Sequence, residues 1–191
     1  KMWYERDFTS AITVLKQAIE LNPGLVETLE QYAFCLGFTG NYAEAIKQAS
    51  IAFSLEPFSL RTNYHFGCIY WIAGNHEKAI AQAKRLIELE PNFWSGHFLF
   101  GLGLMGLKRY EEAVPELEIM VHQYYASFSL GILGLLYGAM GEKVKAREVL
   151  EKMENLRSTQ WVGNFDIGSV YMAMGEFDSA FQYFEKALEI H

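Results

Sequence analysis

The chain has 191 residues, 51% apolar and 15% aromatic, enough for a sizeable continuous core. Its net charge of −7 supplies no basic face for phosphate contacts, so nucleic acid is not an expected partner. Cys35 and Cys68 stand among apolar residues with no neighbouring ligand, which argues against a zinc site or a disulfide framework. Free thiols fit a reducing, cytoplasmic setting. The opening residues 1–6 do not read as a secretory signal, and the longest uncharged run, 91–107, falls short of a membrane span.

The first predicted element is a helix over about 7–21, and from it onward one pattern recurs. Alanine returns at Ala11, Ala45, Ala79, Ala113, Ala146 and Ala180, in steps of 34 residues with a single step of 33. A small residue keeps the same frame at Ala33, Gly67, Gly101, Gly134 and Gly168, and a large one at Leu36, Tyr70, Leu104, Tyr137 and Tyr171. Glycine marks a turn at Gly40, Gly74, Gly141 and Gly175, with Lys108 once in its place. There it is expected to end a helix in the left-handed conformation that other residues resist. Pro23, Pro57 and Pro91 should stop the second helix of each pair. The small residues allow two helices to approach closely, and no single pair can bury its apolar face without neighbours.

These residues resemble the tetratricopeptide repeat family, over nearly the whole chain from about Trp3 to His191. The resemblance implies an all-α fold: a right-handed α-solenoid of antiparallel helix pairs, about eleven helices in all. It implies one domain over 1–191, with a partial repeat at 1–25 and repeats at 26–59, 60–93, 94–126, 127–160 and 161–191. The pattern departs from the family in three places. Tyr124-Tyr125 and Arg157-Ser158 stand where proline is expected, so those helix ends should be less firmly stopped. Pro115 falls inside a helix and should bend or tighten its first turns.

Gly101, Gly103 and Gly106 fit the spacing of a dinucleotide-binding loop, but the repeat frame puts them inside a helix, with no preceding strand. The histidines form no metal-binding pair, and no nucleophile elbow or phosphate loop occurs. The chain therefore reads as non-catalytic, with no cofactor and no metal.

In the family, the first helix of each repeat lines a concave groove. Carried over by register, that groove holds Phe34, Phe38, Arg61, Tyr64, His65, Trp71, Phe98, Leu102, Met105 and Phe165. The five first helices contain only Glu27, Glu30, Arg61 and Asp166 as charged residues, and those of 94–126 and 127–160 contain none. Helices apolar all round are covered on both sides. Either a partner covers the inner side or the solenoid closes upon itself, and both readings stand open. Gly106, Gly131 and Gly138 strip side chains from groove positions and suggest a gap. Phe34, Cys68 and Leu102 replace the polar residues with which the family's carboxylate-clamp grooves hold chaperone tails.

The expected function is a protein–protein interaction scaffold, taking an apolar or amphipathic peptide or helix in the groove. The last helix presents Phe177, Phe181, Phe184 and Leu188 along an apolar edge that suits a second copy of the chain or a further helix. Met140-Gly141-Glu142 and Tyr171-Met172-Ala173-Met174-Gly175-Glu176 are similar to tetratricopeptide modules of bacterial signalling proteins, whose members often have proline where Asn164 stands. That likeness implies an alternative, a regulatory module in which a small apolar ligand fills the glycine-lined space. The truncated first repeat suggests a fragment of a larger protein.

Overall fold

The structure, a computed structural model, describes residues 7–189, so the outermost residues of the repeat pattern, at 1–6 and 190–191, lie outside it. Among the described residues it consists of eleven α-helices and no strand. These are α1 (Phe8–Leu21), α2 (Val26–Phe38), α3 (Tyr42–Leu55), α4 (Leu60–Ile72), α5 (His76–Leu89), α6 (Trp94–Gly106), α7 (Tyr110–Gln123), α8 (Ser127–Ala139), α9 (Lys143–Leu156), α10 (Asn164–Ala173) and α11 (Phe177–Leu188). They form two compact units, residues 1–107 with α1–α6 and residues 108–191 with α7–α11. The boundary falls inside the 94–126 repeat, whose first helix belongs to one unit and its second to the other.

The mid-repeat turns follow from local chemistry. Gly40, Gly74, Gly141 and Gly175 have φ between 74° and 83°, the left-handed region where a Cβ is penalised. Lys108 takes the same conformation, φ 59°, without that freedom. After each glycine the next amide turns back on the helix. Asn41, Asn75, Glu142 and Glu176 donate to the carbonyls of Leu36, Tyr70, Tyr137 and Tyr171 at 2.8–2.9 Å, the Schellman closure that satisfies orphan carbonyls.

The second helices α1, α3, α5, α7 and α9 end at residues 21, 55, 89, 123 and 156, in register with or without proline. No run-on follows α7 at 124, whereas beyond α9 the amides of Arg157, Ser158 and Thr159 donate to Glu154, Asn155 and Leu156 in continuing turns. The Tyr124 amide donates to Met120 at 2.8 Å, and Gln160 to Leu156 at 2.8 Å, which closes both ends. Pro115 lies within α7, which continues past it to Gln123.

The repeat alanines Ala45, Ala79, Ala113, Ala146 and Ala180 are wholly buried. In the first unit they join Ala33, Leu36, Phe66, Ile69, Leu86 and Leu99 in the core, between the layer of α2, α4 and α6 and the layer of α3 and α5. A side chain at Gly67 would collide with Leu99. In the second unit α8 packs against α7, α9 and α10, so this uncharged helix is covered on both sides, as its composition requires.

α10 alone starts late. Its repeat begins at 161, yet the helix begins at Asn164. The Gly163 amide donates to Ser127 Oγ at 3.1 Å, and Ser127 Oγ donates to Asp166 Oδ2 at 2.7 Å. That relay pins the start of α10 to α8. It also makes Asn164 the first helical residue, a place where proline is well accommodated.

Candidate binding surface

In the first unit α2, α4 and α6 lie side by side and present most of the predicted groove residues. The Phe34 and Phe38 rings sit 6.1 Å apart and nearly parallel, and Phe8 of α1 lies 5.5 Å from Phe38. Phe38 is 47% exposed. Phe34 meets the His65 ring edge-on at 5.2 Å, and Tyr64 stands 5.8 Å from that ring.

Beneath these rings lies a polar cluster. The Glu30 side chain is buried, with Oε2 3.0 Å from His65 Nδ1 and 3.5 Å from Arg61 Nε. Burial alone would push Glu30 up. Hydrogen bonds from His65 and Thr62, and the charges of His65 and Arg61, outweigh it and hold the carboxyl below its usual value. Arg61 itself reaches solvent. The Tyr64 hydroxyl is hydrogen-bonded to the Cys68 thiol. Burial, first of all, raises both, the thiol to about 12, so Cys68 is an unreactive thiol.

Trp71 is 37% exposed, and its Nε1 donates to the Leu102 carbonyl at 3.2 Å, which ties α4 to α6. Leu102 and Met105 are half-buried. Phe98 departs from expectation. Only 7% of it is exposed, and Trp94, one turn earlier, lies 6.3 Å away. It is a core residue at a groove register position.

Phe165 belongs to the second unit, where it is exposed and stands 5.5 Å from Phe184. Phe181 and Leu188 lie in solvent on α11. Phe184 does not join that edge: its ring packs on α10, and a Cβ at Gly168 would come within 2.7 Å of it.

The glycines mark close approach rather than a gap. A Cβ at Gly106 would sit 2.6 Å from the His76 ring, at Gly131 2.9 Å from the Asp166 Cβ, and at Gly138 2.7 Å from the Ala173 Cβ. The missing side chains admit neighbouring helices. Sequence reasoning also missed two features. The pairing of Glu30 with Arg61 and His65 could have been read from opposite charges at facing positions of successive repeats. In the second unit, Phe128, Trp161, Gly163, Phe165, Asp166 and Ala187 line a cleft of about 380 Å³. Nothing in the repeat pattern signals it, because it depends on the late start of α10.

Among the described residues no cluster of His, Cys, Asp or Glu could hold a metal ion, and no helix is long and apolar enough to cross a membrane.

The tetratricopeptide repeat profile matches residues 60–93 and 163–190. No curated protein matches the sequence. Solved structures share the fold. A tetratricopeptide repeat protein from Parabacteroides merdae superposes with a TM-score of 0.78 at 14% identity, covering 99% of this chain and 74% of that one. The thermophilic tetratricopeptide repeat protein TTC0263 of Thermus thermophilus gives 0.70 at 21% identity, covering 86% and 90%. The hetero-tetramer Cut9–Hcn1 of the APC/C gives 0.73 at 15% identity, covering 98% of this chain and 38% of that one. At such identities the likeness concerns the fold. The repeat register, the helix pairs it produces and the profile matches agree: the chain carries tetratricopeptide repeat sequence at 60–93 and 163–190, in a fold shared with solved tetratricopeptide repeat proteins.

Proposed function

We propose that the chain is a non-catalytic interaction scaffold whose α2–α4–α6 surface takes an apolar or amphipathic segment of a partner protein. Tetratricopeptide repeat proteins are in general scaffolds of this kind, and the Cut9–Hcn1 assembly is one in which a similar fold is joined to another chain. The observation that carries the reading is the exposure of Phe38 and Trp71 on a surface poor in charge. Aromatic rings held half-open on packed helices are the side chains that dominate binding energies. A helix or extended segment could lay its apolar side over them. Cys35 and Cys68, neither of them in a disulfide, suit a reducing, cytoplasmic setting.

The test separates binding from folding. Phe38→Ala and Trp71→Ala should each weaken capture of the native partner, by about 2 kcal/mol for a ring at the centre of the contact. Their melting temperatures should stay close to that of the wild type. Phe98→Ala should act through folding instead, at a cost of about 3–5 kcal/mol. Undiminished capture by both surface variants would refute the reading.

A second reading, a small apolar ligand in a regulatory module, draws support from the aromatic cleft of Phe128, Trp161 and Phe165 rather than from the glycines. Saturable quenching of Trp161 by a ligand, lost in Phe128→Ala, would favour it.

A further inference from the structure

Two positions of each second helix meet the next repeat. One residue beyond the repeat alanine stand Ile12, Ile46, Ile80 and Val114, and eight residues beyond it Ile19, Phe53, Ile87 and Val121. In the first unit these side chains carry the following helix. A Cβ at Gly103 of α6 would lie 2.6 Å from Ile80 Cγ1 and one at Gly96 3.1 Å from Ile87 Cγ1, while the Phe53 ring sits 5.3 Å from that of Phe66 in α4. The 127–160 repeat breaks the pattern at both positions, with Arg147 and Glu154. A charge is costly to bury against an apolar helix, and each takes an ion-pair partner instead. Arg147 Nη2 is 2.7 Å from Glu176 Oε1, and Glu154 Oε2 is 2.8 Å from Arg157 Nε. Between α9 and α11, over α10, there is accordingly a hollow of about 580 Å³. The furrow between α7 and α9 over α8, which has a further helix pair beyond it, is of the same kind and holds about 350 Å³.

We propose that the hollow between α9 and α11 binds an arginine side chain of a partner polypeptide. Leu150 and Ile167, both buried, give it an apolar base, and the stacked rings of Tyr171 and Tyr183, 5.6 Å apart and 17° from parallel, form a wall. Three lining groups are unused. The Glu151 carboxylate, the Asn155 side-chain amide and the Tyr171 hydroxyl have no hydrogen-bond or ion-pair partner among the described residues. Each can accept a hydrogen bond, and Glu151 brings the one uncompensated charge of the lining. A guanidinium matches that set: its planar fork gives two donors to a carboxylate and keeps others for Asn155 and Tyr171. Its carbon stem suits Leu150 and Ile167. The cations already present do not oppose it. Arg147 and Arg157 are neutralised by Glu176 and Glu154, and Lys186 is held over the Tyr183 ring, 4.9 Å from its centre. A lysine ammonium, a point charge with three donors, fits the flat set of acceptors less well.

This site shares no residue with the α2–α4–α6 surface or with the Trp161 cleft, so it stands or falls apart from both. The probe is N-acetyl-L-arginine methylamide, an arginine as it occurs within a chain, titrated into the isotopically labelled 191-residue protein and followed by NMR. Saturable shifts are expected at Glu151, Asn155 and Tyr171, and the lysine counterpart should bind more weakly. Glu151→Gln should weaken binding about fivefold, as for an ion pair that keeps contact with solvent. Its melting temperature should not change, because Glu151 is exposed. Arg147→Ile combined with Glu154→Ile restores the apolar pair of the earlier repeats and should abolish the shifts while circular dichroism stays helical. The proposal is overturned by an absence of saturable shifts, by equal affinity for the lysine counterpart, by wild-type affinity in Glu151→Gln, or by a folded double isoleucine variant that still binds. Tighter binding of free L-arginine than of the capped form would also overturn it, and would assign the hollow to the amino acid. Shifts confined to α2, α4 and α6 would remove the ligand to the first unit and leave the surface reading there untouched.

Discussion

Lys108 holds a conformation that four glycines hold elsewhere in the chain, and it does so with a Cβ. The left-handed region costs a non-glycine residue about 1–2 kcal/mol. Lys108→Gly removes that cost but frees the unfolded chain somewhat. The net expectation is a gain of roughly 1 kcal/mol, read as a higher urea midpoint at unchanged slope. Gly40→Ala should shift the midpoint the other way. Glu30 is the second residue whose environment yields a signed outcome. Its carboxyl is held below the ordinary value, so the native state prefers the ionised form. That contribution is complete above the unfolded value, near 4.5, and is lost as pH falls through the lower native value. Thermal melts between pH 7 and pH 3 should therefore flatten in Glu30→Gln relative to wild type. An identical slope would mean that Arg61 and His65 do not favour the charged form.

At the scale of helices, the second unit turns on how α8 meets α10. In an isolated helix, replacing glycine by alanine gains up to about 1 kcal/mol. At Gly138 the new Cβ would stand 2.7 Å from the Ala173 Cβ and 3.0 Å from the Ala173 carbonyl carbon. Backbone cannot step aside as a flexible side chain can, so Gly138→Ala should lower stability by about 1–3 kcal/mol. The sign decides between close packing and an open space, because a gap would let the propensity gain appear. This is also where the sequence misleads. A missing side chain on a charge-free helix looks like vacancy when read along one dimension. It takes the neighbouring helix to reveal that the vacancy is occupied. The same limit applies to Phe38 and Phe98. Both are aromatic groove positions by register, yet one is half in solvent and the other in the core. Helix ends were far more legible. Gly40, Gly74, Gly141 and Gly175, together with the evenly spaced alanines, mark backbone events that depend on a few adjacent residues. The start of α10 escaped because it is set by Ser127, 36 residues away from Gly163.

The whole chain divides at residue 107, in the middle of the 33-residue repeat 94–126, and each unit has its own buried residues. In repeat proteins stability is close to a sum of the stability of each repeat and of its contact with its neighbours. Removing 161–191 takes α10 and α11 away, and with them the cover of α8 at Gly131, Gly134 and Gly138. Faster amide exchange is therefore expected throughout α8 and α9. The amides of α2–α5 should keep their wild-type protection, because their core of Ala33, Leu36, Ala45, Phe66 and Ile69 contains nothing from the deleted segment. Residues 1–107 alone should likewise give a helical circular dichroism spectrum and a cooperative melt. If the 161–191 deletion unprotects α2–α5 as fully as α8, or if 1–107 is unfolded in isolation, the two units fold as one, and nearest-neighbour additivity does not describe this chain.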